Sequence, residues 1–573
     1  MRTTPEARIA EYRRKGWWSD TRIPDLFDSA VQAAPDQVAL IDPPNRPALL
    51  GDAARRLTFR EVADLVDGFA LRLQQFGLGR DDVLITQLPN VVEYPALYLA
   101  AMRLGIIVSP VPMQFRRHEL EQVTELTGAR AALTVRELKG GAYAATAVEL
   151  AVGRSLQVLC LNDDTVPGAI GFTPADVTTP ARSQLREHIA GLHLDADDIA
   201  TICWTSGTEG MPKGVPRSHN HWIAISYGHW RGAGIQRGER LLNPFPLINM
   251  AGLGGCFMSW MHSVGTLVLH HPLDLGVYLR QIVEERPGYA IAPPAVLNML
   301  LKDEKTLAAI DLSSLRCVGS GSAPLDPDMI AGYRDRFGIE IVNIFGSNEG
   351  VSLLSNAVNA PDPVRRARLF PRWGRDEVHA DPPSPVQICT RLRDPESGEE
   401  VLERGRPGEM QITGPSVFDG YFRAPQITAQ SFTDDGWFRT GDLFELVGDE
   451  DPAAYYRFVG RLKQIIVRGG MKIAPEELDS VLSQMPEVLE GAVSAYADPI
   501  MGERICAIVV PRPGAQPSLE AVRAHFERAG LATFKYPERL LCVEQLPRNS
   551  VGKLVRGDLA RLAVIAPAAD VHS

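Results

Sequence analysis

The sequence predicts an α/β protein of layered, largely parallel sheets, followed by a smaller α+β domain. Three observations lead there. Strand-length apolar runs alternate with helical periodicity over most of the chain, a Gly/Ser/Thr-rich loop follows one buried run, and the character of the sequence changes after Gly460.

The elements follow in order. Thr58-Phe59-Arg60-Glu61 has the reciprocal capping pattern of a helix start. Val62, Leu65, Val66, Phe69 and Leu73 then recur on one helical face until Gly77 ends the run. Residues 83–88 read as a strand, residues 92–104 as a helix and residues 106–108 as the next strand. Residues 130–200 repeat the scheme less clearly. Residues 199–204 form an apolar run that predicts a buried strand. Further strands are expected at 265–269, at 290–292 before Pro293-Pro294, at 316–319 and at 340–344, the last two running into glycine-rich turns. A polar, Pro- and Arg-rich stretch over 359–406 predicts loops and short antiparallel strands.

A domain boundary is expected near Gly460-Arg461-Leu462-Lys463. Beyond it, Pro475 sits at a helix start with Glu476 and Glu477 in the first turn, where they complement the helix dipole. Leu478, Val481, Leu482 and Met485 give that helix its apolar face. Strands are expected at 491–496 and 505–510, and a second helix from Ser518 carries Leu519, Val522 and Phe526. About 110 residues of this kind suffice for an independent core.

Composition narrows the function. With 573 residues, 45% hydrophobic and 23% charged, the chain is of ordinary globular make-up. A net charge of −11 with no Lys/Arg block argues against nucleic-acid binding. Seven scattered cysteines form no C-x-x-C pair and read as small buried hydrophobes in a reducing compartment. Residues 1–20 hold no apolar signal core, and no run approaches the ~18 residues of a membrane span, so a cytoplasmic protein is expected.

The most informative segment is Thr205-Ser206-Gly207-Thr208-Glu209-Gly210-Met211-Pro212-Lys213-Gly214. Glycines let a main chain approach a polyphosphate closely. N–H groups and hydroxyls donate to its oxygens, and a lysine adds charge. The spacing is neither a Walker A loop nor G-x-G-x-x-G. It resembles the phosphate loop of the adenylate-forming superfamily, which includes acyl- and aryl-CoA ligases, stand-alone adenylation enzymes and luciferases. The departure is Glu209, where a hydroxyl residue is more usual. Other motifs of that superfamily follow in order. Gly321-Ser322-Ala323-Pro324 resembles its adenine-binding turn. Phe345-Gly346-Ser347-Asn348-Glu349 resembles its aromatic-Gly-x-Thr-Glu motif, with Asn348 in place of threonine. Thr440-Gly441-Asp442 resembles its ribose motif, with Arg461 beyond. The segment ending Gly552-Lys553 resembles its C-terminal catalytic-lysine motif. The similarity covers residues 10–562. Glu11–Trp18 and Arg217-Ser218-His219-Asn220 add a similarity to aryl-acid-activating members.

The resemblance implies a large N-terminal domain, residues 1–461, of layered α/β sheets plus a small β-barrel-like part. A small mobile α+β C-terminal domain, 462–573, would carry the catalytic lysine. It implies ATP, Mg²⁺ and CoA, and an ATP-dependent carboxylate–CoA ligase that forms an acyl-adenylate with pyrophosphate release and then a thioester. The alternative is a stand-alone enzyme loading an acid onto an acyl-carrier protein. A small-molecule carboxylic acid is the substrate, with no nucleic-acid partner and a monomer or homodimer expected. Thr205, Ser206, Gly207, Thr208 and Lys213 would hold phosphates, Phe345 would stack on adenine and Glu349 would hold the metal. Asp442 would take ribose hydroxyls, and Lys553 would neutralise charge on the α-phosphate. Lys463 occupies the hinge position. Asn249, Met250 and Gly254 fall at the acid pocket, with Asn249 either contacting the acid or making a structural hydrogen bond. Gly252, Gly254 and Gly255 are expected to leave room for a bulky acyl group.

Overall fold

The computed structural model describes residues 1–205, 212–372, 388–449, 453–468, 471–498, 501–529, 531, 533–549 and 553–565, without the side chains of Lys463 and Lys472. The chain forms two compact units. One comprises Met1–Cys389 and Ile412–Phe438, the other Thr390–Gln411 and Arg439–Ser573. Residues 439–461, which the sequence assigns to the end of the large domain, thus group with the second unit.

The first unit is built on two sheets. In one, the strand order is Ser352–Ser355, Glu340–Gly346, Cys317–Gly321, Tyr289–Ile291, Arg240–Asn243, Thr266–Leu269, Val38–Ile41 and Arg56–Thr58. Its inner pairs are parallel, and the outermost pair at each edge is antiparallel. The other runs Ile170–Phe172, Gln157–Leu161, Ala131–Thr134, Val83–Gln87, Ile107–Pro110, Ile199–Thr205 and Lys213–Ser218. It is parallel except for its last pair. Parallel strands buried on both faces need continuous apolar runs, which explains how legible 83–87 and 199–204 were.

The two sheets share one core. Leu84, Leu133 and Leu159 from one, and Leu241, Leu267 and Val342 from the other, belong to a single buried cluster. The helix Glu93–Arg103 lies within it and is buried from Tyr94 to Met102 on every face. The expected capping box forms at Phe59–Gln75. Glu61 N donates to Thr58 Oγ1 at 3.3 Å, and Thr58 N donates to Glu61 Oε2 at 2.7 Å. Phe59 stacks on Trp260 at 5.8 Å, and each such fully buried aromatic contributes roughly 2–3 kcal/mol by area.

Two regions differ from expectation. Residues 130–200 hold three short parallel strands, too brief to give a clear period. The polar 359–406 stretch contains a helix, Pro363–Arg368, begun by Pro363 and capped when Arg365 N donates to Asp362 Oδ1 at 2.8 Å. Its buried anchor is Arg366, which pairs with Glu340, so no apolar periodicity marks it.

In the second unit, Phe438–Val447 and Tyr455–Arg461 pair antiparallel, with Asp442 opposite Arg461. A further sheet is centred on Val488–Asp498 and Gly502–Pro511, also antiparallel, with Arg539–Cys542 added parallel to the second. Pro475–Leu482 and Leu519–Arg528 cover one face through Leu478, Leu482 and Phe526. Arg556–Ile565 covers the other through Leu559 and Ala563. Both expected helices and both expected strands of the α+β domain are present.

Candidate active site

Two groups of the expected site residues lie on the antiparallel edges of the first unit's sheets. Ile199–Thr205 and Lys213–Ser218 pair antiparallel, with Thr205 opposite Lys213. Ser206, Gly207 and Thr208 lie outside the described residues. At the edge of the other sheet, Glu340–Gly346 and Ser352–Ser355 pair with Gly346 opposite Ser352, and their connection carries Asn348 and Glu349. Ser347 N donates to Val351 O at 3.0 Å and Gly350 N to Ser347 O at 3.2 Å, closing this turn. Gly350 has φ +123°, and a Cβ there would stand 2.4 Å from Ser416 O.

Asn348 joins the two edges. Its Nδ2 donates to Trp204 O at 3.2 Å, beside Thr205, while its Oδ1 accepts from Met250 N at 3.0 Å. Both ends of the amide are thus engaged by main chain. Glu349 is half-buried and its Oε1 accepts from Tyr421 Oη at 3.1 Å. The Tyr421 ring lies under Lys213, with Nζ 5.2 Å from its centroid. Burial, then the Glu349 charge, raises the Tyr421 phenol above its ordinary value. Tyr421 thus links the lysine to the carboxylate. It escaped the sequence reading because a single aromatic after Gly420 has no spacing signature.

Arg217 is fully buried and was singled out only as part of a sequence run. It donates to Asn348 O and Ser416 O, each at 2.7 Å, and to His221 O at 3.2 Å. Its guanidinium stacks on Trp222 at 4.9 Å, and burial lowers its pKa to about 10.

The turn Gly321-Ser322-Ala323-Pro324 follows the strand Cys317–Gly321, and residues 322–324 are exposed. A Cβ on Gly321 would stand 2.0 Å from Ile344 O, so glycine is required there by the neighbouring strand. Ser322 has φ +71°. Phe345 is half-buried, 5.9 Å from the Phe370 ring.

Asn249 caps a π-helix, Met250–Phe257, and its Oδ1 accepts from Ala251 N at 3.1 Å and Gly252 N at 3.3 Å. Of the two roles expected for it, the structural hydrogen bond is the one observed. The glycines of this helix do not leave room for an acyl group. A Cβ on Gly252 would meet Pro246 O at 2.1 Å. The space beside Gly254 is taken by Met250 Sδ at 2.8 Å, and Gly255 faces Ile291 and His229. Close packing against backbone demands glycine at Gly252, while at Gly254 and Gly255 neighbouring side chains fill the space.

In the second unit, Arg461 Nε lies 3.2 Å from Asp442 Oδ1. Asp442 is buried, and its N–H donates to Thr440 Oγ1 at 3.1 Å. Gly441, at φ +69°, donates to Glu409 Oε1 at 3.2 Å. Lys463 lies in a short 3₁₀ turn, Leu462–Gln464, and its side chain is not described. Lys553 is exposed. Its N–H donates to Asn549 Oδ1 at 2.9 Å and its carbonyl accepts from Asn549 N at 2.8 Å. Arg556, just beyond, donates to Val493 O at 2.8 Å and pairs with Asp479, tying this turn to the sheet. Burial pushes the Asp479 carboxyl up to about 6.

The α/β scaffold thus brings Lys213 and Glu349 from two edge hairpins to the Tyr421 ring and hydroxyl. Comparison with known proteins gives the family. The profile of AMP-binding enzymes matches residues 27–422, and that of the AMP-binding enzyme C-terminal domain matches residues 477–553. The chain belongs to the AMP-binding enzyme family. It is an ATP-dependent, AMP-forming acid–thiol ligase. It is similar to the medium-chain fatty-acid–CoA ligase of Escherichia coli (strain K12), at 29% identity over 98% of this chain and 94% of the relative. It is also similar to a salicylyl-CoA synthase / salicylate adenylyltransferase of Streptomyces sp, at 30% identity over 96% and 95%. Among solved structures, ATP-bound MatB from Rhodopseudomonas palustris superposes with TM-score 0.74 at 25% identity, covering 95% of this chain and 99% of that one. Among the described residues, no helix is long and apolar enough to cross a membrane, and no three His, Cys, Asp or Glu side chains cluster as a metal site.

Proposed function

We propose that the chain is a carboxylate–CoA ligase acting in two steps on a small carboxylic acid. A carboxylate oxygen attacks the α-phosphorus of ATP, forming the acyl–O–P bond as the bond to pyrophosphate breaks. The CoA thiol then attacks the acyl carbon, releasing AMP. The observation that carries this reading is the Tyr421 link, which sets Lys213 and Glu349 on one ring at the meeting of the two edge hairpins.

The residues divide the work. Lys213 and Thr205, with Ser206, Gly207 and Thr208, hold phosphate oxygens. The exposed turn Gly321–Pro324 and Phe345-Gly346 take the adenine, Asp442 and Arg461 the ribose, and Lys553 neutralises the charge that builds on the α-phosphate. Asn249 and Met250 border the acid from the π-helix, and Gly254 admits the Met250 side chain. Mg²⁺ suits Glu349, since it is commonly held by one or two carboxylates and substrate phosphates rather than by an all-protein cage. Bound there, it would offset phosphate charge. Tyr421 orients the Glu349 carboxylate for that task.

The functional lobes divide at 461/462, with Lys463 absorbing the backbone rotation between half-reactions. Lys463→Pro is expected to impair thioester formation more than adenylation, and equal loss of both would refute the hinge. Pyrophosphate release and hydroxamate trapping across aryl, alicyclic and fatty acids test the first step. ADP and orthophosphate as products would end the proposal. Offering CoA against a holo-carrier protein tests the acceptor.

A further inference from the structure

The N-terminal segment is fastened to a loop that the reaction has so far used only through Tyr421. The Asp419 side chain is 2% exposed. It is held from two directions. From the N-terminal segment, Thr4 Oγ1 donates to Oδ2 and the Arg8 guanidinium to Oδ1. From the first turn of the helix His219–Gly232, His221 Nε2 lies 3.4 Å from Oδ2. The His221 Nδ1 accepts from Ser218 N at 3.2 Å, so its proton resides on Nε2, facing the carboxylate. Trp18 reinforces the attachment: its Nε1 donates to Pro415 O at 3.1 Å and its ring meets His221 edge-on at 5.0 Å. Tyr12 packs against Trp18 at 5.1 Å.

The same loop faces the reactive groups on its other side. Phe418 N donates to Glu349 O at 3.0 Å, and Tyr421 Oη donates to Glu349 Oε1. Phe422 N donates to Gly214 O at 2.8 Å, next to Lys213. Gly420, at φ +142° with a Cβ position 2.5 Å from Thr428, turns the chain between Asp419 and Tyr421 so that the two side chains serve opposite sides. Residues 418–422 therefore contact Glu349 and the phosphate hairpin through three hydrogen bonds, and their placement depends on how Asp419 is held.

We infer that Asp419 is a positioning residue, and that the N-terminal segment, through Thr4, Arg8 and Trp18, is a clamp that fixes the carboxylate and lysine end of the nucleotide site. This rests on the proposed roles of Glu349 and Lys213. It assigns a function in the reaction to a segment that precedes the residues matched by the family profile, which begin at 27.

The test is steady-state adenylation by the full chain, with magnesium and ATP each varied. Asp419→Asn is expected to raise the Mg²⁺ half-saturation and the ATP KM about tenfold, with the KM for the acid unchanged. Arg8→Met is expected to give the same pattern, and Arg8→Lys, which keeps the charge, to restore most of it. A role in folding alone would lower the thermal midpoint and the active fraction while leaving the KM values as they were, and that result overturns the inference. Should Asp419→Asn not fold, the Arg8→Met and Arg8→Lys pair decides, since Arg8 is partly exposed. Glu349→Gln is the reference. If it leaves magnesium dependence unchanged, the reading of the site fails. If it shifts that dependence and neither Asp419→Asn nor Arg8→Met does, only the clamp fails.

Discussion

Asn348→Asp isolates one hydrogen bond at the meeting of the two edge hairpins. The side chains are isosteric, so packing is retained. An aspartate keeps an oxygen for Met250 N at 3.0 Å but replaces the amide donor to Trp204 O at 3.2 Å with a second oxygen. A favourable N–H···O contact becomes O···O repulsion, and the Trp204 carbonyl loses its donor. Losing the bond costs about 1 kcal/mol net, and leaving a withdrawn carbonyl unsatisfied adds roughly 1–3 kcal/mol. The sum, about 2–4 kcal/mol, falls on the strand end that carries Thr205. It is expected as a lower urea midpoint and as slower pyrophosphate release at saturating ATP. The loss should ease at low pH, where a protonated carboxyl can again donate to Trp204. Asn348→Ala removes both bonds and should show no such recovery. If Asn348→Asp matches the parent in midpoint and rate at neutral pH, the amide does not join the two hairpins and the reasoning fails.

Three further outcomes are expected. His219, His229 and His271 are buried and His262 is half-buried, and desolvation lowers each pKa from 6.5 to about 4. They fold neutral, so their contribution is whole above 6.5 and is lost as pH falls towards 4, by ~1.4 kcal/mol per pH unit for each. The four together imply about 6 kcal/mol less stability at about pH 5.5, read as the urea midpoint against pH, and a flat profile contradicts this. Gly321→Ala must displace the strand Glu340–Gly346, because its Cβ would lie 2.0 Å from Ile344 O, and should cost roughly 3 kcal/mol in unfolding free energy together with ATP affinity. Tyr421→Phe keeps the ring beneath Lys213 but frees Glu349 of a charge-assisted bond, so magnesium half-saturation should rise about tenfold while thermal stability changes little.

The layered fold was legible because buried parallel strands need unbroken apolar runs and their helices need one apolar face. Residues 83–87 and the helix capped at Thr58 show both signals. The motif residues were legible because glycines, hydroxyls and lysines crowd a short stretch. What stayed hidden is contact between segments far apart in sequence. Tyr421 reaches Glu349 across 72 positions and Thr4 reaches Asp419 across 415, and no local period records either. The helix Pro363–Arg368 was missed because an arginine serves as its buried anchor. The glycines of the π-helix were misread as free volume because sequence shows a missing side chain but not the Pro246 carbonyl or the Met250 sulfur that occupies the space.

The placement of the reactive groups on antiparallel margins has a consequence for divergence. A hairpin tip at a sheet border can lengthen, shorten or change composition without shifting the register of the parallel interior, whose pairing is fixed elsewhere. Asn348, in the turn between Glu340–Gly346 and Ser352–Ser355, is a departure of this kind. The scaffold can therefore tolerate retuning at its rim, and grafting the Gly346–Ser352 turn between relatives is a more conservative operation than changing any strand within.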